Sequence, residues 1–409
     1  MTLLSEPLRL PGGAVLPNRI AKAATEELLA EPGQLPGAAL ATLYRRLAAG
    51  GAGLLITGHV MVDRRAVAQP GDVVLERDTP LEPFRRWAAA GQAAGGRFWM
   101  QINHAGRVVP KDLARTTWAP SAVPVDVGGL SGMYPTPRAM TARDIDETVE
   151  RFAVTARRAR EAGFDGVEIH AAHGYLLSQF LSPLVNRRDD RWGGSLANRA
   201  RLLLDVVGAV REQAGTGFAV AVKLNSADFQ RGGFDTDDAR DVIKMLADAG
   251  TDLVELSGGS IESLATAGFP ADGRTLAREA YFLTLAEQLL TTSPLPLMLT
   301  GGIRRRAVAQ EVLDSGVAVA GLATALAVDP ALPGQWLAGH DARAEPPRTR
   351  LRNKTLAAAA VQALTARRLA RLGHGKPSRP PYSPAVALLL ERLVRGRRRR
   401  GYLKWLADA

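Results

Sequence analysis

One unit recurs along the chain and limits what it can fold into. A polar-faced helical stretch stops at Ala-Gly or a close equivalent, and a short apolar run follows. It occurs as Ala48-Ala-Gly-Gly-Ala-Gly-Leu-Leu-Ile-Thr57, Ala93-Ala-Gly-Gly-Arg-Phe-Trp-Met-Gln101 and Glu161-Ala-Gly-Phe-Asp-Gly-Val-Glu-Ile169. It returns as Asp248-Ala-Gly-Thr-Asp-Leu-Val-Glu-Leu256 and Asp314-Ser-Gly-Val-Ala-Val-Ala-Gly-Leu322. Glycine at the stop ends a helix with positive φ at no steric cost. The short, nearly continuous apolar run is the pattern of a parallel strand buried on both faces.

Residues 19–23, 218–224 and 296–300 add three more such runs, making eight. Helical patterns at 39–49, 81–94, 143–162, 196–214 and 236–249 lie between them, and Thr141 with Asp144 reads as an N-terminal cap. Eight strand–helix units in about 320 residues predict an α/β protein built as a (β/α)8 TIM barrel. A doubly wound sheet is the alternative, but no Gly-x-Gly-x-x-Gly follows any of the strands. Residues 8–16, centred on Pro11-Gly-Gly, read as a hairpin closing the barrel floor. The proline- and glycine-rich stretch 106–140 is long for a loop, and such excursions usually cover a site.

Composition narrows the chemistry. The 409 residues contain no cysteine, which excludes disulfides, thiolate metal sites and cysteine nucleophiles. The start of the sequence lacks a basic region followed by an apolar core, and the longest apolar or small run, 317–328, is too short to span a bilayer. A soluble, cytoplasmic protein is expected. The net charge of +11 is unevenly spread. From Asp341 onward there are 17 Lys or Arg against 4 Asp or Glu, while residues 1–340 hold 35 against 37. Two domains are therefore expected: a barrel at 1–340 and a basic Arg/Leu/Pro-rich helical extension at 341–409. Within the extension, 356–372 reads as helix, 373–384 as a proline-rich linker, and 385–406 as a leucine-rich helix broken at 397–401.

In a barrel, chemistry sits at the C-terminal ends of the strands. Four of the six histidines fall there: His59, His104, His170 and His173. His170 and His173, three apart just past a strand, can converge on one electron-rich oxygen, and Gly174 lets Tyr175 turn back to deliver a proton. A metal pair is the competing reading, with His104 or Asp228 completing the site of a metal-dependent hydrolase. Lys223 stands inside an apolar run and must meet an anion, either an internal carboxylate or an electron-rich ligand. Gln101 at a strand end suits either a heterocycle edge or a backbone group. Thr300-Gly-Gly-Ile-Arg-Arg-Arg306, opening a helix, suits a phosphate or is simply a tight turn.

Taken together, the motifs resemble the Old Yellow Enzyme family of FMN-dependent NAD(P)H:flavin oxidoreductases and ene-reductases. The resemblance runs over residues 5–340. It is carried by Leu16-Pro-Asn-Arg-Ile20, Gly58-His-Val-Met-Val-Asp63, Gln101-Ile-Asn-His-Ala-Gly-Arg107, Ala119-Pro-Ser-Ala122 and His170-Ala-Ala-His-Gly-Tyr175. Gln179-Phe-Leu-Ser-Pro-Leu184, Asn186-Arg-Arg188, Arg191-Trp-Gly-Gly-Ser195 with Asn198-Arg199, Lys223-Leu-Asn-Ser-Ala-Asp-Phe229 and Thr300-Gly-Gly302 extend it. The resemblance implies FMN across the barrel mouth, with Ala24, Thr25, Glu26 and His59 against the ring. It places Gln101 on the pyrimidine edge, Lys223 near N1 and C2=O, and Gly301, Gly302, Ala323 and Thr324 at the phosphate end. It also implies that His170 and His173 hold a conjugated carbonyl or nitro oxygen while hydride leaves flavin N5 and Tyr175 protonates the α-carbon. NADH or NADPH would then reduce the flavin again in the same place, with no Rossmann fingerprint required.

Two positions depart from the family. Glu26 stands where relatives carry Thr, Cys or Ser, and Ala323-Thr324 replaces a Gly-Arg whose arginine grips the phosphate. Arg304, Arg305 and Arg306 are the candidates to compensate, and a flavin-poor or non-catalytic family member is the alternative. The partners expected are a small conjugated carbonyl compound and a homo-oligomer. No nucleic acid is expected, and at most a weak contact of the basic tail with a membrane surface.

Overall fold

The computed structural model describes residues 2–408 except 115, 264–278, 281, 346, 348, 350, 352 and 381. Eight parallel strands form the barrel: β1 (Ile20–Lys22), β2 (Leu54–Ile56), β3 (Arg97–Asn103), β4 (Gly166–Ala171), β5 (Ala219–Asn225), β6 (Leu253–Ser257), β7 (Leu297–Thr300) and β8 (Val319–Leu322). Each pairs with the next, and β8 pairs back onto β1 with Gly321 beside Ala21, closing the circle. Helices α1 (Ala38–Ala49), α2 (Glu82–Gly91), α3 (Ala142–Glu161), α4 (Leu176–Leu181), α5 (Leu196–Ala214), α6 (Thr236–Asp248), α7 (Leu283–Leu290), α8 (Arg306–Asp314), α9 (Thr324–Val328) and α10 (Leu332–Leu337) connect them. Thr141 and Asp144 form the capping box at the start of α3.

Side chains alternate across each strand, and the two sets build different cores. Residues facing the helices, such as Val167, Ile169, Val220, Val222, Val254 and Leu256, join the large outer core. Their neighbours, Trp99, Ala219, Ala221, Leu253, Met298 and Val319, fill the lower barrel. The antiparallel pair Leu8–Arg9 and Val15–Leu16 seals this floor, with Leu10 and Leu16 packed inside it. The Gly12 N–H donates to Asp252 at 2.6 Å, and a Cβ there would overlap that carboxylate, so only glycine fits the plug. Above the apolar floor the same inward positions become polar: Gln101, Glu168, Lys223 and Glu255.

The basic extension lies against the barrel. Helix α11 (Lys354–Gly373) packs on α1, where Arg46 donates to the carbonyls of Leu372 and Lys376, and Leu369 and Leu372 enter the outer core. Helix α12 (Pro384–Ala407) runs back to the barrel mouth. The break expected at 397–401 is absent: docking on the mouth loops holds the arginine run in one continuous helix. Tyr402 is buried and donates to the Arg64 carbonyl, Arg395 forks onto Asp112 at 2.7 and 3.0 Å, and Arg64 stacks on Trp405. Among the described residues, no helix is long and apolar enough to cross a membrane.

Candidate active site at the barrel mouth

The ends of β3, β4, β5 and β6 bring the predicted residues together. His173 takes φ +62 and Gly174 φ +78 just beyond β4, so the chain turns sharply and Tyr175 becomes the N-cap of α4. The His170 and His173 rings stand 5.1 Å apart at 81°, and Tyr175 lies 4.9 Å from His170 and 5.4 Å from His59. Burial, reinforced by the charges of His173 and Lys223, holds His170 well below its usual pKa. Burial first, then Lys223, lowers His173 to about 3. Both imidazoles are therefore neutral. His170 Nδ1 accepts from the Ala172 N–H at 3.2 Å, which fixes its proton on Nε2 as a donor. His173 Nε2 contacts the Ser257 hydroxyl at 2.7 Å. Burial pushes the Tyr175 phenol well above 10, so it keeps its proton.

The metal-hydrolase alternative fails on geometry. His104 Nδ1 accepts from the Gly106 N–H, and Asp228 accepts from Asn225 and the Phe234 N–H, so neither joins the histidine pair. The group with metal-ligand spacing among the described residues is instead Glu26, His59 and Asp72. His59 Nε2 lies 3.1 Å from Glu26 and 3.5 Å from Asp72. Burial alone would lower the His59 pKa, but Asp72 and Glu26 overcome it and raise the ring to about 10. An imidazolium needs an acceptor at Nδ1 also, where Asn103 Nδ2 sits at 3.1 Å while the amide oxygen has no partner. Turning the Asn103 amide over satisfies both. Glu26 thus lies within hydrogen-bond reach of the His59 ring, whose positive charge faces it.

Beneath these residues register decides the pairing. Gln101 lies opposite Glu168, His170 opposite Lys223, and Lys223 opposite Glu255. Gln101 donates to Glu168 at 2.5 Å, Lys223 to Glu255 at 2.5 Å, and Thr300 to Glu255 at 2.7 Å. Burial opposes every charge here, but the pair wins, raising Lys223 and lowering Glu255. Glu168 is pushed well up, by burial and then by the charge of Glu255. Its proton makes a donor of one of two otherwise orphaned acceptors, Glu168 Oε1 and Glu255 Oε2, and joins the carboxyls. Of the readings open for Lys223, the internal ion pair with Glu255 is present. Among the described residues, the Lys223 ammonium donates to Glu255 alone, and the Gln101 amide oxygen accepts no bond.

Sequence reasoning missed Glu168, Glu255, Asp72 and Lys22. Lys22 donates to the Ala23 and Ile56 carbonyls, and burial lowers it to about 8 against the pull of Glu27. A lone acid in an apolar run, the signal that marked Lys223, is also present at Glu168 and Glu255. Asp72 carries no such signal.

At the other predicted positions, Thr25 bonds the Ala23 carbonyl, and Ala24 packs beside the inner core. Gly301 (φ +153) and Gly302 (φ +72) make a turn closed to other residues without strain. Ala323 precedes the short α9, which starts at Thr324. The arginines offered as compensation are engaged: Arg304 and Arg305 pair with Glu279, and Arg306 donates to the Trp336 carbonyl. Arg107, Asn186, Arg188 and Arg199 bond backbone carbonyls and hold the mouth loops in place.

Paired neutral histidines and a protonated phenol thus stand at the mouth of a parallel eight-stranded barrel, and the comparisons place this arrangement among the oxidoreductases. Residues 4–339 match the NADH:flavin oxidoreductase / NADH oxidase family, and the chain belongs to it. It is 34% identical to an NADH-dependent flavin oxidoreductase of Hypocrea jecorina, covering 83% of this chain and 90% of that one. A like-named Neonectria protein is 38% identical over 80% of this chain, which spans only 46% of that relative. The Old Yellow Enzyme homologue of Zymomonas mobilis superposes with a TM-score of 0.71 at 27% identity, over 83% and 94% of the two chains. Morphinone reductase in complex with tetrahydroNAD gives 0.69 at 28%, over 84% and 92%.

FMN is the cofactor of this family. The donor set fits its ring: Lys223 retains N–H bonds for an electron-rich edge, and the Gln101 amide oxygen remains to accept a ring N–H. At the end the resemblance assigns to the phosphate, Thr324 is uncharged.

Two pH limbs are expected for stability. His59 is raised from 6.5 to about 10, so the stability it confers is complete below pH 6.5 and is lost as pH rises through about 10. His173 is lowered from 6.5 to about 3, so its contribution holds above pH 6.5 and is lost as pH falls toward 3. Urea midpoints should fall on both sides of neutrality, and His59→Gln should flatten the alkaline limb alone. An alkaline limb left unchanged would mean that His59 is not an imidazolium.

Proposed function

We infer that the chain is an FMN-dependent NAD(P)H oxidoreductase that reduces activated C=C bonds of α,β-unsaturated carbonyl or nitro compounds. The observation that carries this reading is the facing of two neutral imidazoles and one protonated phenol across the barrel mouth. His170 Nε2–H and the second imidazole can donate to a carbonyl or nitro oxygen, drawing electrons out of the conjugated double bond. FMN, when bound, supplies the hydride and is recharged by the nicotinamide. Tyr175, unable to ionise at working pH, delivers the proton to the α-carbon. The His59–Glu26–Asp72 cluster packs against the Tyr175 ring and limits its movement. The fold of morphinone reductase and the names of the fungal relatives support the reaction class and NADH as reductant.

The test is an anaerobic titration of purified protein. NADH should bleach the flavin band, and cyclohexenone added afterwards should restore it. Recovery with oxygen but not with any enone or nitroalkene would leave an NADH oxidase and sink the ene-reductase reading.

The phosphate end yields a second prediction. Thr324→Arg restores a charge-assisted contact worth on the order of 1.5–3 kcal/mol, so FMN should bind about 10- to 150-fold more tightly. Flavin fluorescence during dissociation would measure this. Unchanged affinity would show that the phosphate lies elsewhere.

A further inference from the structure

The two tail helices leave a pocket of about 450 Å³ between them, lined by Leu364, Arg368, Arg379, Pro380, Tyr382 and Ser383. Its cations have no partner. Neither Arg368 nor Arg379 makes an ion pair or hydrogen bond among the described residues, the Arg368 Nε is buried without an acceptor, and burial and then Arg379 disfavour the charge of Arg368. Two guanidinium groups facing one cavity with no anion is an arrangement an anionic ligand would stabilise.

A second, independent feature adjoins it. Ser383 caps α12, and the outward face of that helix carries Val386, Leu389 and Leu393 at 43%, 60% and 63% exposure. The same exposed face continues through Arg392, Arg397, Arg400 and Lys404. The helix has a single acid, Glu391, which is turned inward onto Arg367 and Arg398. Large apolar side chains rarely stand exposed in one row, and here they have a basic flank and no acidic neighbour.

We propose that the two-helix tail docks on a membrane surface rich in anionic phospholipid. A headgroup phosphate occupies the Arg368–Arg379 pocket, while Val386, Leu389 and Leu393 enter the acyl boundary. Arg392, Arg397, Arg400 and Lys404 meet neighbouring headgroups. The inward face of α12 stays on the barrel through Tyr402 and Arg395, so docking requires no unfolding of the tail.

The test uses the full chain and sedimentation with vesicles of phosphatidylcholine alone or mixed with phosphatidylglycerol. Binding is expected only to the mixed vesicles and should fade with salt. Arg368→Ala with Arg379→Ala should weaken it about 30-fold. Leu389→Asp with Leu393→Asp should abolish it. All four positions lie outside the barrel, so NADH oxidation in solution reports intact folding. Equal binding to both vesicle types would overturn the headgroup assignment, as would full competition by inorganic phosphate. No binding to either overturns the proposal. So does self-association that the leucine substitutions abolish while vesicles have no effect, which would make this face an interface between copies.

Discussion

Replacing Tyr175 with phenylalanine is expected to slow enone reduction by about 10²–10⁴-fold, the usual worth of a positioned general acid. Flavin reduction by NADH should proceed as in the parent protein. The asymmetry follows from the site. The phenol is pushed well above its usual pKa by burial and then by Glu26 and Asp72, so it keeps its proton throughout, and only the oxidative half of the cycle consumes one. The substitution preserves the ring that packs against His59 and His170, leaving positions unchanged and removing only the proton. Stopped-flow absorbance separates the two half-reactions. Equal loss in both would mean that Tyr175 shapes the nicotinamide site instead.

Glu255→Ala should lower the unfolding free energy by about 3–5 kcal/mol, because it leaves the Lys223 ammonium buried without an anion. It also removes the acceptor shared by Thr300 and Glu168, so the damage spreads over β4, β5, β6 and β7. Replacing both members of the pair, Lys223→Met with Glu255→Leu, should recover most of that loss, since the pair's attraction is largely cancelled by desolvation. Urea midpoints of the two variants decide the matter. A single variant costing less than about 1 kcal/mol would place the pair in contact with water. The double variant also removes the N–H bonds available to the flavin, so it should fold yet hold FMN weakly.

These effects differ in how far they can be read from the chain. The His170-x-x-His173-Gly174-Tyr175 run announces itself, since the glycine and the spacing force the side chains toward one point. The prediction for Lys223 gave two outcomes, and choosing between them required knowing which residue of β6 lies opposite. Register across a closed barrel is set by the shear of all eight strands and has no local letter. Glu168 and Glu255 sit in runs that read as apolar strands, and nothing near them says which carboxyl keeps its proton. The environment decides: Lys223 bonds Glu255 directly, while Glu168 bonds Gln101 and faces the charge of Glu255.

Glu26 shows the same limit from the other side. In sequence it is a departure from the family at a position the resemblance sets against the flavin ring. In the fold His59, held between Glu26 and Asp72, sets its positive charge against that carboxylate. The tail is a third instance. Its charge and helices are legible from Asp341 onward, but an arginine run followed by glycine reads as a break. Only the acceptors at Asp112 and the slot for Tyr402 make one unbroken helix cheaper than two.

What the chain by itself determined is the repeat: eight apolar strands, five of them after a glycine-stopped helix, the histidines at their ends, and the split between a near-neutral barrel and a basic tail. These follow from local periodicity and from residues whose conformation is restricted. What only the tertiary structure decided is who faces whom. Proton positions at Glu168 and His59, the partner of Lys223 and the seat of α12 depend on burial and on groups far apart in the chain, and both exist only after the barrel has closed.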